Sequence, residues 1–144
     1  MADLTAFWAG PIATSYLADM GADVIKIESI QRPDGMRFAG AALKDSLWEW
    51  SPVFHGANSG KRDLTLHLDH AKGREMLLEL IRKSDVLIEN FSVRVLDNFG
   101  LHWDELKKAN PRLILVRMPA FGLEGPWRDR PGFAMTVEQA SGLA

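Results

Sequence analysis

Ser84-Asp85-Val86-Leu87-Ile88-Glu89-Asn90-Phe91 decides how the chain is read. Val86–Glu89 is rich in branched residues and too short for a helix, so it reads as a buried strand. Asn90, Phe91 and Ser92 follow that strand and lead into a short helical stretch, Ser92–Phe99, closed by Gly100. The same pattern recurs on both sides. Val24-Ile25-Lys26-Ile27 and Leu113-Ile114-Leu115-Val116 read as buried strands, and Leu64-Thr65-Leu66-His67-Leu68 alternates as a half-exposed or edge strand would. Met1-Ala2-Asp3-Leu4-Thr5 resembles the tail of a further strand at the start.

Helical patterns lie between these runs. Pro11 suits a first helical position, with Ile12, Tyr16, Leu17 and Met20 on one stripe before Gly21. Asp69 is placed to cap a helix reaching about Lys83, with Met76, Leu77, Leu80 and Ile81 as its apolar face. Trp103–Ala109 forms another, with Lys107 and Lys108 near its negative end. Strand and helix alternate, which predicts an α/β fold: a Rossmann-like parallel sheet with helices on both faces and ligands at the C-terminal ends of the strands.

The totals bound the function. A chain of 144 residues fits one domain, and 47% hydrophobic with 25% charged residues is the composition of a folded globular unit. Seventeen basic against nineteen acidic residues leave a net charge of −2 and no basic stripe, so no nucleic acid partner is expected. Cysteine is absent, which excludes disulfides, Cys-ligated zinc and a thiol nucleophile, and fits a cytoplasmic setting. No apolar run approaches the roughly 18 to 20 residues that cross a bilayer, so no membrane partner is expected either. His67 and His70 flank Asp69 without a metal-ligand spacing, and no metal is expected. Five tryptophans are many for one small interior. Trp48, Trp50 and Phe54 in particular cannot all face one core from a single strand or helix, which predicts an apolar surface that needs cover.

Segment after segment, the chain resembles the CaiB/BaiF group of family III CoA transferases. The resemblance rests on Asp3-Leu4-Thr5, Ala9-Gly10-Pro11 and the run Leu17-Ala18-Asp19-Met20-Gly21-Ala22-Asp23-Val24-Ile25-Lys26-Ile27-Glu28. It continues through Asn58-Ser59-Gly60-Lys61-Arg62-Asp63-Leu64-Thr65-Leu66, Ser84–Phe91 and Asn110-Pro111-Arg112-Leu113-Ile114. Phe121-Gly122-Leu123-Glu124-Gly125-Pro126, Arg130-Pro131-Gly132-Phe133 and Ser141-Gly142 complete it. The resemblance implies the N-terminal part of the CaiB/BaiF CoA-transferase fold, with residues 1–144 as a CoA-binding region cut at both ends. It implies an enzyme, related to formyl-CoA transferase, that moves CoA between carboxylic acids through an aspartyl-CoA thioester. No group is bound permanently; coenzyme A or acyl-CoA is a substrate, together with a carboxylic acid, and the intact protein would be an interlocked homodimer.

The resemblance places the nucleophilic aspartate beyond the Ser141-Gly142 match, so no catalytic residue is assigned within these 144 residues. The CoA contacts it implies are Trp8 and Ala9, Ser29, Asn58, Ser59, Gly60 and Lys61, then Asn90, Phe91, Ser92 and Asn98, and finally Arg130, Pro131, Gly132 and Phe133. The residue types suit the ligand: Ser59-Gly60 allows close backbone approach, and the Lys61 ammonium is expected to meet a phosphate. Ser29 and Asn98 stand where the family often carries arginine, with Arg32, Arg37 and Arg94 as neighbouring cations. Phe133 replaces the acid/base histidine of the related α-methylacyl-CoA racemases, which disfavours racemase chemistry. Ala134 replaces a frequent acidic residue. A racemase-like or transferase-derived lyase domain, or a non-catalytic nucleotide-binding module, are the alternatives; no Gly-rich dinucleotide fingerprint supports the last.

Overall fold

The structure, a computed structural model, describes residues 1–40 and 46–143. Each branched run becomes a strand: β1 (Ala2–Asp3), β2 (Ile25–Glu28), β3 (Arg62–Thr65), β4 (Val86–Glu89) and β5 (Ile114–Arg117). All neighbours pair in parallel, in the order β3-β2-β1-β4-β5. Central β1 sets the register, with Ala2 beside Ile25 and Leu87, and Asp3 beside Lys26 and Ile88. The connections are α1 (Ala9–Asp19), α2 (Pro52–Ala57), α3 (Ala71–Arg82), α4 (Val95–Asn98) and α5 (Trp103–Ala109), and α6 (Ala134–Ser141) follows β5. Two single-turn 3₁₀ helices, Gly35–Phe38 and Leu47–Glu49, precede α2.

Because strand side chains alternate between faces, the sheet acquires two unlike sides. Ala2, Leu4, Ile27 and Leu87 join Leu77, Ile81, Leu96, Leu101, Leu106 and Leu113 in one hydrocarbon core beneath α3, α4 and α5. Asp3, Thr5 and Lys26 face the opposite way, toward α1, α2 and the first 3₁₀ turn, and all three are buried.

Three expectations are corrected. The Ile12-Tyr16-Leu17-Met20 stripe does not face the sheet: Tyr16, Leu17 and Met20 are exposed, while Gly10, Pro11, Thr14 and Ser15 are buried. Close approach decides this, since a Cβ on Gly10 would stand 2.3 Å from Thr5; only small residues fit between α1 and β1. The cap of α3 is His70, whose Nδ1 accepts from the Lys72 N–H at 3.2 Å, and not Asp69. Strand β5 is an edge, with Ile114 exposed, where a buried strand was expected. Helix α6 ends on Gly142 in the left-handed conformation that closes helices; Ala144 lies outside the described residues. All five tryptophans are between 44% and 52% exposed, so none is core filler, whereas Phe54 is buried.

Candidate ligand crevice at the β1/β4 switch point

In this strand order the chain runs outward from β1 to β2 and β3, then returns to the other side of β1 as β4. Such a reversal leaves a crevice beyond the C-terminal ends of β1 and β4, where open α/β sheets hold ligands. Asn90 sits there. Its Oδ1 accepts from the Ala6 N–H at 2.9 Å and its Nδ2 donates to the Ala6 carbonyl at 2.7 Å. One carboxamide therefore mimics a strand pairing and ties the two strand exits together, leaving Phe91 and Ser92 to emerge beside the β1–α1 turn that carries Trp8 and Ala9.

The β4 exit is braced from below by Glu89, which is fully buried. Its Oε2 accepts from the Phe91 N–H at 2.7 Å and its Oε1 from Arg117 Nε at 2.7 Å, while Arg117 Nη2 donates to the Val93 carbonyl at 2.8 Å. Neither Glu89 nor Arg117 was singled out from sequence. The available signal was a charge closing each of two apolar runs that prove to be neighbouring strands.

Lys61 is turned inward. Its side chain is 2% exposed, and the ammonium donates to the Asn58 Oδ1 at 2.7 Å, the Pro11 carbonyl at 2.9 Å and the Ala57 carbonyl at 3.2 Å. Asp3, itself 0% exposed, lies 3.2 Å away as counter-ion. Burial pushes this ammonium below the usual lysine range, and the charge of Asp3 pulls it back up. Its donors meet partners inside the protein, and through them it holds the loop in place. Ser59 is clamped as well, its Oγ 2.8 Å from that of Ser15. Gly60 completes the loop at φ 73°, with α1 so near that a Cβ would stand 3.3 Å from Ala18 Cβ. Ser59 and Gly60 are exposed at the loop's surface.

Among the described residues, the last candidate stretch meets the β1 exit where the Phe133 ring packs edge-on against Phe7 at 5.4 Å. Gly132 is pressed to 2.4 Å, as a Cβ would be measured, from Ala120 Cβ. Arg130 stands over the Trp127 ring at 5.3 Å, and Asp129 faces Arg94 at 3.4 Å, drawing this loop toward the start of α4. Pro131 is exposed between them. Ser29 closes a local turn, donating to the Gln31 side chain at 2.6 Å, and Asn98 is exposed on α4. Among the described residues, no hydrogen bond, ion pair or ring contact joins either to the other candidates. Of the cations proposed beside them, Arg37 is engaged with Glu28 at 2.7 Å and Asp63 at 2.9 Å, Arg94 is exposed though it faces Asp129, and Arg32 is exposed. A cavity of about 480 Å³ opens between α4, α5 and β5, around Leu101, Trp103 and Leu115, and none of the candidates lines it. Among the described residues no group of three acidic or histidine side chains is arranged to hold a metal ion, and no helix is long and apolar enough to cross a membrane.

Comparison with known proteins agrees with this fold. The family model for CoA-transferase family III matches residues 1–144. The chain is 41% identical over 138 residues to the succinyl-CoA–L-malate CoA-transferase beta subunit of Chloroflexus aurantiacus, covering 94% of this chain and 33% of that protein. It is 39% identical over 141 residues to the acetyl-CoA:oxalate CoA-transferase of Acetobacter aceti, covering 98% of this chain and 35% of the relative. The chain thus spans about a third of the length of the curated relatives it matches. Among solved structures, a CaiB/BaiF family protein from Brucella suis superposes with a TM-score of 0.88 at 36% identity, covering 98% of this chain and 37% of that one. With a full-length family match, relatives near 40% identity and a superposable sheet, the chain belongs to CoA-transferase family III.

Proposed function

We propose that this chain is the CoA-binding region of an enzyme that transfers CoA between carboxylic acids. The observation that carries the reading is the Asn90 clamp, which brings the Trp8-Ala9 turn and the Asn90–Ser92 exit together at the switch point of a family III sheet. The relatives' activities, on succinyl-CoA with malate and acetyl-CoA with oxalate, supply the substrate class: an acyl-CoA and a small carboxylic acid. The chemistry that fits is nucleophilic. An aspartate carboxylate attacks the thioester carbonyl, the CoA thiolate leaves, and a mixed anhydride forms. The thiolate then captures the enzyme's own carboxyl carbon, releasing the first acid and leaving an aspartyl-CoA thioester. No carboxylate of this chain is assigned that part; Asp3, Glu28, Asp34 and Glu89 are all committed to internal partners.

Because Lys61 is turned inward, the nucleotide is read here by backbone and Ser59 at the Asn58–Gly60 loop, with Arg32 and Arg94 as the exposed cations near Ser29 and Asn98 in the chain. Calorimetric titration tests the reading. CoA is expected to bind about tenfold more tightly than 3′-dephospho-CoA, the amount one charge-assisted phosphate contact supplies. No binding of either, or equal affinity for both, would sink it.

A further inference from the structure

Phe7, the residue before the Trp8-Ala9 turn, has a left-handed backbone with φ 65°, one of two non-glycine residues so placed among the described residues. A side chain makes that conformation costly, so it persists only where the surroundings impose it. Asp34 imposes it here. The Phe7 N–H donates to the Asp34 carboxylate, 3.1 Å from Oδ1 and 3.3 Å from Oδ2. The carboxylate is itself immobilised: Oδ1 accepts from the Met36 N–H at 3.0 Å and Oδ2 from Lys26 Nζ at 3.1 Å, and Lys26 also donates to the Thr5 carbonyl at 2.8 Å. Asp34 is 5% exposed. Its neighbour Gly35 leaves room for the Phe7 ring, since a Cβ there would stand 2.9 Å from a ring carbon. That ring is the one Phe133 meets.

We propose that Asp34 is a positioning residue of the CoA site: by holding the Phe7 N–H it fixes the left-handed bend that aims Trp8-Ala9 at the crevice and presents the ring on which Phe133 rests. The inference rests on reading Trp8-Ala9 and Arg130–Phe133 as CoA contacts. It goes further by tying those two separate stretches to one buried carboxylate that touches no ligand.

The test uses the full chain with two readouts, amide hydrogen exchange at Phe7 and calorimetric affinity for CoA. Asp34→Ala should abolish Phe7 protection and weaken CoA binding about tenfold. Asp34→Asn keeps an oxygen for the Phe7 and Met36 N–H groups, so it should keep the protection and lose no more than about threefold in affinity. It also serves if the alanine variant does not fold. Since glycine adopts the left-handed bend without strain, Asp34→Ala should cost under about threefold in a Phe7→Gly background. An equal loss in both backgrounds would show that Asp34 acts by another route. A folded variant that loses Phe7 protection yet binds CoA like the wild type would overturn the proposal alone, whereas a wild-type chain that does not bind CoA would remove the site reading and this inference with it.

Discussion

The two faces of the sheet are built from the same five strands by opposite means. Under α3, α4 and α5 the strands present Ala2, Leu4, Ile27 and Leu87 to a leucine-rich interior. Toward α1 and α2 the alternate positions carry Asp3, Lys26, Glu28 and Asp63, linked to one another and to Lys61, Asp34 and Arg37 by ion pairs between 2.7 and 3.8 Å. The apolar face stabilises the fold in proportion to the area it buries. The charged face cannot, because desolvating paired ions roughly cancels their attraction. Its members instead fix geometry: Lys61 holds the Asn58–Gly60 loop, and Asp34 with Lys26 holds the β1 exit. The chain just before the Trp8-Ala9 turn and the Asn58–Gly60 loop, both candidate ligand contacts, are thus anchored on this second face.

The comparison is sharpest where one side chain is removed from each face. Lys61→Ala strands Asp3 as a buried unpaired charge and should cost on the order of 3 to 5 kcal/mol. Leu77→Ala, at a residue with 0% exposure, should cost about 2 to 5 kcal/mol by cavity formation. The two losses differ in how they are repaired. Adding Asp3→Asn to Lys61→Met removes both charges together and should recover most of the stability, whereas no second polar change refills the Leu77 cavity. Urea denaturation of the four proteins decides; a double variant no more stable than Lys61→Ala would mean that the ion pair itself, and not the relief of an unpaired charge, carries the stability of that face.

How much of this was legible in the sequence follows the same division. The strands and the α3 face were readable because branched runs and helical periodicity are local and reflect burial in hydrocarbon. The α1 stripe was misread for a physical reason: hydrophobicity locates a buried face only where helix and sheet stand far enough apart for large side chains, and Gly10 against Thr5 leaves no such space. Asn90 was placed at a strand exit by both pattern and resemblance. The ammonium of Lys61 was not readable, since its partners Asp3 and Pro11 lie 58 and 50 residues away in the chain. Lys26 was absorbed into an apolar run and Asp34 was not singled out; a lysine in the middle of a buried strand was the signal that a buried carboxylate had to exist.

A smaller effect distinguishes members of the charged face from one another. Burial pushes the Glu28 carboxyl above its ordinary value of 4.5, with Arg37 and Lys26 pulling it partly back, and its Oε1 is buried without a hydrogen-bond partner. A folded carboxyl with a raised value binds its proton more tightly than the unfolded chain does. Stability from this group is therefore full below about pH 4.5 and declines as pH rises through the folded value. Glu28→Gln should remove that decline, so the stability difference between wild type and variant should shift against the wild type from about pH 4.5 to 7. Denaturant midpoints across that range are the measurement, and a shift in favour of the wild type would show that Arg37 and Lys26 outweigh burial.

The smallest effect belongs to a charge pair that resembles the internal ones in geometry but not in surroundings. Arg62 grips Asp23 with bonds of 3.0, 2.6 and 2.5 Å, as close as any on the charged face, yet the two side chains are 65% and 69% exposed. Both ends are hydrated when apart and screened when together, so Arg62→Ala should change stability by less than about 1 kcal/mol, and less still in about 0.5 M salt. Lys61→Ala should keep its full cost at that salt, because ions do not reach the Asp3 carboxylate. If Arg62→Ala proves as costly as Lys61→Ala, bond length and not burial governs these pairs, and the distinction between an anchoring interior face and a solvated edge fails.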